Sequence, residues 1–280
     1  MADIHTQPLE GLVKGILLLP ESKATKGVVV LGGSSGRVDV ERTRLFADLG
    51  ASALALQWFG GSGQSPGICE IPLETFSQAI DHLYSLGCER ILLVGTSKGA
   101  EAALLVATLD SRVNAVVAIS PTSVVWGNIG AGIDGSAWPE RSSWSHEGQP
   151  LDFVPADTTW QPVYREGLVS YRSFFEACLR LNPVAALRSA IAIEHTSADI
   201  VLVAGGDDAL WPSDIFAQEL ADRMERYDRR VSLIVDPDAG HRVLFPGEVT
   251  PRSSKHAHGG TDAADIRLGL AAWQKIVTLI

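Results

Sequence analysis

ILLVGTSKGAEAALLVATL, residues 91–109, changes character at its centre. Four apolar residues read as a buried strand, and the Ala- and Leu-rich run after Gly99 reads as a helix. Between them, Gly95-Thr96-Ser97-Lys98-Gly99 is a G-x-S-x-G turn in strand–turn–helix context. A serine presented above a strand end needs a tight, strained backbone. Side chains two residues to either side would collide there, and glycines at 95 and 99 remove the collision. Ser97 is therefore the candidate nucleophile. The backbone N–H of Lys98, at the start of the helix, is a candidate oxyanion donor. The Lys98 side chain itself is expected in solvent.

The same alternation continues in both directions. Apolar runs at 15–19, 27–31, 51–57, 114–120, 199–205 and 230–236 are rich in Val, Ile and Leu, as a parallel sheet covered on both faces requires. Helical patterns occupy 38–49, 72–86, 98–109, 213–228 and 262–280. Over 72–86, Leu73, Phe76, Ile80 and Leu83 share a face, Pro72 opens the segment and Gly87 closes it. The pattern predicts an α/β fold with a mostly parallel, doubly wound sheet, as one domain over 1–280. The runs at 15–19 and 27–31 lie too close for a helical crossover and are expected to pair antiparallel.

Residues 121–199 break the rhythm. They hold nine aromatic residues, among them Trp126, Trp138, Trp144, Phe174 and Phe175. A stretch this long between strands is usually functional. It is predicted to be a lid or cap inserted in the domain, with a helix near 165–181. Trp126, Phe174 and Phe175, with Trp211 beyond the insertion, are candidate substrate-pocket residues. The plainer alternative is an insertion whose aromatic residues form its own core.

Composition excludes several classes. The chain has 280 residues, 46% of them hydrophobic, which is too apolar for disorder. A formal charge of -10 argues against non-specific nucleic-acid binding and against an anionic membrane surface. No apolar run is long enough to span a bilayer, and no signal peptide is readable at the start. Cys69, Cys88 and Cys178 are too scattered for a disulfide framework or a metal site, so buried free thiols in the cytoplasm are expected. No cofactor motif is present: the Gly-rich stretch at 31–36 matches neither the P-loop nor the dinucleotide pattern.

A serine hydroxyl needs a base near pH 7. Of seven histidines, His241 stands out, because it follows the last apolar run through the short loop Pro237-Asp-Ala-Gly240. His5 falls in an expected tail, His82 on the polar side of a helix, and His256 and His258 in a polar loop. The acid that orients the imidazole is expected after the strand at 199–205, where Asp207 and Asp208 adjoin. Asp208 is preferred on turn spacing, giving the chain order Ser97, Asp208, His241. The loop after 27–31 supplies Gly33 or Ser34 as the second oxyanion donor. Arg37, Arg42 and Arg44 could meet phosphates but read better as a solvated helix face.

GTSKGAE (95–101), AGGDDALWPS (204–213), DAGHRVLFP (238–246) and HGGTDAADIRLGLAAWQKIV (258–277) together resemble one family. It is the acyl-CoA thioesterase and bile acid-CoA:amino acid N-acyltransferase catalytic domain, within the α/β-hydrolase superfamily. The resemblance runs from about residue 27 onward. It implies an α/β-hydrolase fold with Ser97 as nucleophile, Asp208 as acid and His241 as base. Trp211 matches the family's D-D-x-x-W pattern. Larger members carry a preceding β-sandwich domain, for which these 280 residues leave no room. A serine nucleophile, in place of the cysteine of the amino-acid-conjugating members, points to water as acceptor. The expected partner is a small-molecule acyl thioester or ester. A carboxylic-ester or lactone hydrolase, an acyltransferase, and a non-catalytic binding protein on the same fold are the competing readings.

Overall fold

Strand β1 (Ile4–Glu10) and β2 (Lys14–Pro20) form an antiparallel hairpin at one edge of an eight-stranded sheet. The coordinates are a computed structural model that describes residues 4–135 and 138–280. The chain continues through β3 (Lys26–Leu31), α1 (Val40–Asp48) and β4 (Ser52–Leu56). A short β5 (Ile71–Pro72) precedes α2 (Glu74–Ser85), β6 (Arg90–Thr96), α3 (Lys98–Leu109) and β7 (Val113–Ile119). The long segment after β7 holds β8 (Trp144–His146), β9 (Gln149–Pro150), β10 (Val163–Arg165), β11 (Leu168–Ser170), α4 (Arg172–Leu181) and α5 (Pro183–Arg188). The main sheet resumes with β12 (Asp199–Gly205), α6 (Ser213–Arg226), β13 (Val231–Asp236) and α7 (Asp262–Ile276).

The sheet order is β1-β2-β4-β3-β6-β7-β12-β13. Every pair from β4 to β13 is parallel. Successive residues of a strand point to opposite faces, so the continuous apolar runs feed two cores. Val29, Leu31 and Leu93 pack with α2, α3 and α6 on one face. Val28, Val30, Leu92 and Val94 pack with α1 and α7 on the other. The expected doubly wound, mostly parallel sheet is therefore present. Cys69, Cys88 and Cys178 are buried free thiols.

Three expectations are corrected. First, β2 and β3 do not pair. The β3–α1–β4 crossover sets β4 between them, parallel to β3 and antiparallel to β2. Second, the expected N-terminal tail is a strand, so His5 lies in β1. Its polar residues and Pro8 suit an edge position, where one row of backbone groups faces water. Third, the helix expected near 165–181 begins at Arg172. Glu166 and Gly167, at φ 53° and 78°, instead close the β10–β11 hairpin. Two consecutive positive φ angles are what a two-residue hairpin loop requires.

Lys98 overturns the expectation of a solvated side chain. Its ammonium is buried and pairs with Glu101 Oε2 at 2.6 Å, with side-chain exposures of 1% and 0%. It also lies over the Trp144 ring, 5.0 Å from the centroid. Glu101 Oε1 accepts from the Trp126 backbone N–H at 3.0 Å and from the Trp144 indole at 2.7 Å. One carboxylate thus ties the long segment to the first turn of α3. Leaving a buried charge unpaired costs far more than removing both partners. Glu101→Ala should lower the unfolding free energy by about 3–5 kcal/mol. The double variant Lys98→Met, Glu101→Leu should lose less, as measured by urea denaturation. A single variant no less stable than the double would refute this account.

Candidate active site

Ser97 sits where β6 passes into α3, with φ 57° and ψ −118°. For a side chain other than glycine this is a costly conformation. The flanking glycines make it reachable. A Cβ at Gly95 would fall 2.2 Å from the Gly99 carbonyl oxygen, and one at Gly99 would fall 2.3 Å from the Leu31 carbonyl oxygen. The second contact is with the end of β3, so the turn is held down onto the neighbouring strand as well as onto itself. The Ser97 N–H donates to the Ile119 carbonyl at 2.8 Å.

Asp208 and His241 come together beyond the ends of β12 and β13. His241 Nδ1 lies 2.8 Å from Asp208 Oδ2, and both side chains are buried. Asp208 Oδ2 also accepts from Ser213 Oγ at 2.6 Å, and Oδ1 accepts from the backbone N–H groups of Leu210 and Trp211. These donors fix the orientation of the Asp208 side chain. Nδ1 of His241 is the ring nitrogen engaged with Asp208. Asp207 turns the other way. It takes a bidentate pair from Arg165 at 2.7 and 2.6 Å and accepts from the Gly260 N–H. The Arg165 hydrogen bonds hold its carboxyl below the usual aspartate range.

Ser97 Oγ makes no hydrogen bond to the imidazole among the described residues; the link formed directly is that between Asp208 and His241. Backbone contacts supply the rest of the registration. Ser120, buried at the end of β7 with φ 46°, donates from Oγ to the His241 carbonyl at 3.0 Å. Its own carbonyl accepts from the Trp211 indole at 3.1 Å. The Trp211 ring stands edge-on to His241, with centroids 5.8 Å apart.

Of the two residues expected to supply an oxyanion donor beside Lys98, Gly33 lies against Ser97. A Cβ there would be 3.9 Å from Ser97 Oγ. Ser34 is exposed. The Lys98 N–H belongs to the first turn of α3, where backbone donors have no intrahelical partner. Trp126, Trp211 and Phe216 form a buried cluster with Val124, Val154 and Cys178, against which Phe174 and Phe175 pack. Trp126 and Phe175 meet edge-to-face at 4.7 Å, and Phe175 and Trp211 at 5.5 Å. These rings pack on one another, in the manner of a local core.

The polar loop with His256 and His258 is a strap across the site. The His258 carbonyl accepts from the His241 N–H at 2.8 Å and from the Ala209 N–H at 3.3 Å, so one oxygen joins base and acid loops. Gly259 bridges to Asp208, and Ala257 donates to Val169 of the β10–β11 hairpin. Ser120, Ser213 and this strap were not read from the sequence. Ser213 had a usable signal, being a small polar residue at a helix start beside the aspartates. Ser120 and the strap had none. The described residues contain no group of three or more His, Cys, Asp or Glu placed to hold a metal ion, and no helix long and apolar enough to cross a membrane.

Comparison with known proteins adds an independent line. The family model described as "BAAT / Acyl-CoA thioester hydrolase C terminal" matches residues 71–280. Mouse acyl-coenzyme A thioesterase 6 is 26% identical over 290 residues, covering 96% of this chain and 62% of that protein. Mouse acyl-coenzyme A amino acid N-acyltransferase 1 is 28% identical over 244 residues, covering 85% of this chain and 53% of that protein. The chain thus spans less than two thirds of the length of these curated relatives. Among solved structures, a Klebsiella pneumoniae protein assigned as a dienelactone hydrolase superposes with a TM-score of 0.55 at 14% identity. The superposition covers 100% of this chain and 97% of that one. The fold is that of the α/β-hydrolases.

His258 has a titration consequence. Burial, then the neighbouring His241, Arg242 and Arg252, push its imidazole from 6.5 to about 4, with Asp208 opposing. The unfolded chain takes up this proton near pH 6.5, and the folded chain does so only near 4. The stabilising contribution is whole above pH 6.5 and is lost as pH falls towards 4. Chemical denaturation across this window should show a steeper fall in stability for the native sequence than for His258→Gln. Equal slopes would rule the assignment out.

Proposed function

The chain belongs to the BAAT / acyl-CoA thioester hydrolase C-terminal family, and we propose that it is a serine hydrolase cleaving an acyl thioester through an acyl-enzyme on Ser97. The observation that carries this is the buried Asp208–His241 pair at 2.8 Å, set beyond the ends of β12 and β13 in the same sheet whose β6 ends in Ser97 on a strained strand–helix turn. His241 Nε2 takes the Ser97 proton as Oγ attacks the thioester carbonyl. Asp208 stabilises the imidazolium that results. The N–H groups of Lys98 and Gly33 hold the oxyanion. Collapse of the tetrahedral intermediate breaks the C–S bond and expels a thiolate, which takes the proton from His241. A water then gives its proton to His241 and adds to the acyl carbon. Ser97 leaves with that proton, and the free acid is released.

Asp208 rather than Asp207 is the acid in this reading, supported by its contact with His241 and by the engagement of Asp207 with Arg165. Residues 121–199 act in this reading as a cap over the acyl-binding region, with Trp126, Trp211, Phe174 and Phe175 as the packed core that stiffens it. The three buried free thiols support a reducing compartment, which we take as the cytoplasm.

Ser97→Ala should lower kcat on acyl-CoA thioesters by roughly 10³-fold or more, because nucleophile and base act as a unit. Acyl-CoA should turn over faster than p-nitrophenyl esters of the same acyl chain, with free acid as product even when glycine is supplied. Intact mass should show a phosphonyl adduct on the native protein and none on Ser97→Ala. Equal hydrolysis by that variant would remove Ser97 from the mechanism. Transfer of the acyl group to glycine would establish acyltransferase chemistry instead.

Asp208→Asn should cost several orders of magnitude, since it favours the wrong imidazole tautomer. Asp207→Asn should be far milder on kcat. The reverse ranking would reassign the acid.

A further inference from the structure

Arg42 was expected on a solvated helix face, and the structure corrects this: the side chain is buried, with 6% of its surface exposed. Its guanidinium is shared among three segments. Nε and Nη2 donate to the two carboxylate oxygens of Glu248, each at 2.7 Å. Nη2 also donates to the Val243 carbonyl at 2.9 Å. Nη1 donates to Thr96 Oγ1 at 2.9 Å. Phe245 lies beneath the plane, its centroid 4.6 Å from Cζ, and the Phe245 N–H donates to Glu248 Oε2 at 2.8 Å.

Thr96 immediately precedes Ser97, and Val243 is two residues beyond His241. A rigid planar fork therefore spans from the nucleophile turn to the base loop, anchored on α1. Among the described residues those two loops share no direct side-chain hydrogen bond, so their separation is left to the scaffold. Glu248 neutralises the guanidinium, which leaves the fork's geometry as its main effect on the site. Only an arginine can do this, because lysine offers a point charge on a flexible stem.

We propose that Arg42 is a positioning residue that sets the working separation of Ser97 and His241 by bonding Thr96 and Val243 together. This rests on the reading of those two residues as nucleophile and base. An ångström of misplacement in a reacting pair costs on the order of 100-fold in rate, which is the scale of effect the fork can exert.

Thr96→Val separates this role from a merely stabilising one. It removes the hydroxyl acceptor, keeps a β-branched side chain suited to a strand end, and leaves the Arg42–Glu248 pair and the Val243 bond in place. Its kcat on acyl-CoA should fall by about 10- to 100-fold with KM little changed, while the thermal midpoint stays near that of the native chain. Thr96→Ser, which restores the acceptor, should recover most of the loss. Arg42→Lys should resemble Thr96→Val in its kcat defect. Crystals of the native chain and of Thr96→Val should show the Ser97 Oγ to His241 ring distance lengthened in the variant. Thr96→Ala is the second removal, should valine disturb folding. An unchanged distance, or an unchanged kcat in folded Thr96→Val, would overturn the proposal. If the native chain turns over neither thioesters nor esters, the reading of the activity fails, and the measured distance alone decides whether the fork sets the separation.

Discussion

A serine held at φ 57° and ψ −118° is the constraint around which this molecule is organised. Such a residue persists only where its surroundings over-determine it. Here they do. Gly95 and Gly99 allow carbonyls within reach that any Cβ would exclude, the Ser97 N–H is held by the end of β7, and α3 starts at once behind it. The sheet order puts β3 on one side of this turn and β7 and β12 on the other. The loop from β3 thus brings Gly33 to the serine, while the loops after β12 and β13 carry Asp208 and His241.

The surroundings are unusually polar for an interior. Lys98, Glu101, Arg42, Glu248, Asp208 and Asp265 are all buried or nearly so. Each has partners. Such groups are tolerated only when their hydrogen bonds are nearly complete, and that requirement makes them specific. The Glu101 carboxylate admits one arrangement of Trp126 and Trp144, and the Arg42 fork admits one spacing of Thr96 and Val243. Rigid apolar packing of the two sheet faces supplies most of the stability. The polar groups decide how the loops sit on top of it.

Much of this was legible in the chain. The apolar runs and their helical spacers carry a direct signal, since burial on both faces keeps the middles of β3, β6, β7 and β12 apolar. The serine turn was legible because its strain demands glycine at fixed offsets. His241 and Asp208 were legible from chain order and loop position. What escaped was written in relations rather than in residue types. Arg42 looks like any helix-surface arginine until Glu248, 206 residues later, is placed beside it. Lys98 and Glu101 form an ordinary helical pair on paper, and only the closure of Trp144 over them makes them interior. β1 escaped because an edge strand may be polar on both sides. The placement of β4 between β2 and β3 depends on where the crossover lands, which spacing alone does not specify.

The strap after β13 belongs to no strand of the main sheet, yet it aligns two of the site's loops. The carbonyl of His258 serves the backbone N–H groups of both His241 and Ala209, and Gly259 lies against the strand-end loop that carries Asp208. These residues follow all eight strands of the main sheet in order of synthesis. All eight strands are therefore complete in sequence before the residues that anchor Asp208 and His241 to each other. The Asp208–His241 pair thus takes part of its alignment from a segment that lies outside the β-scaffold.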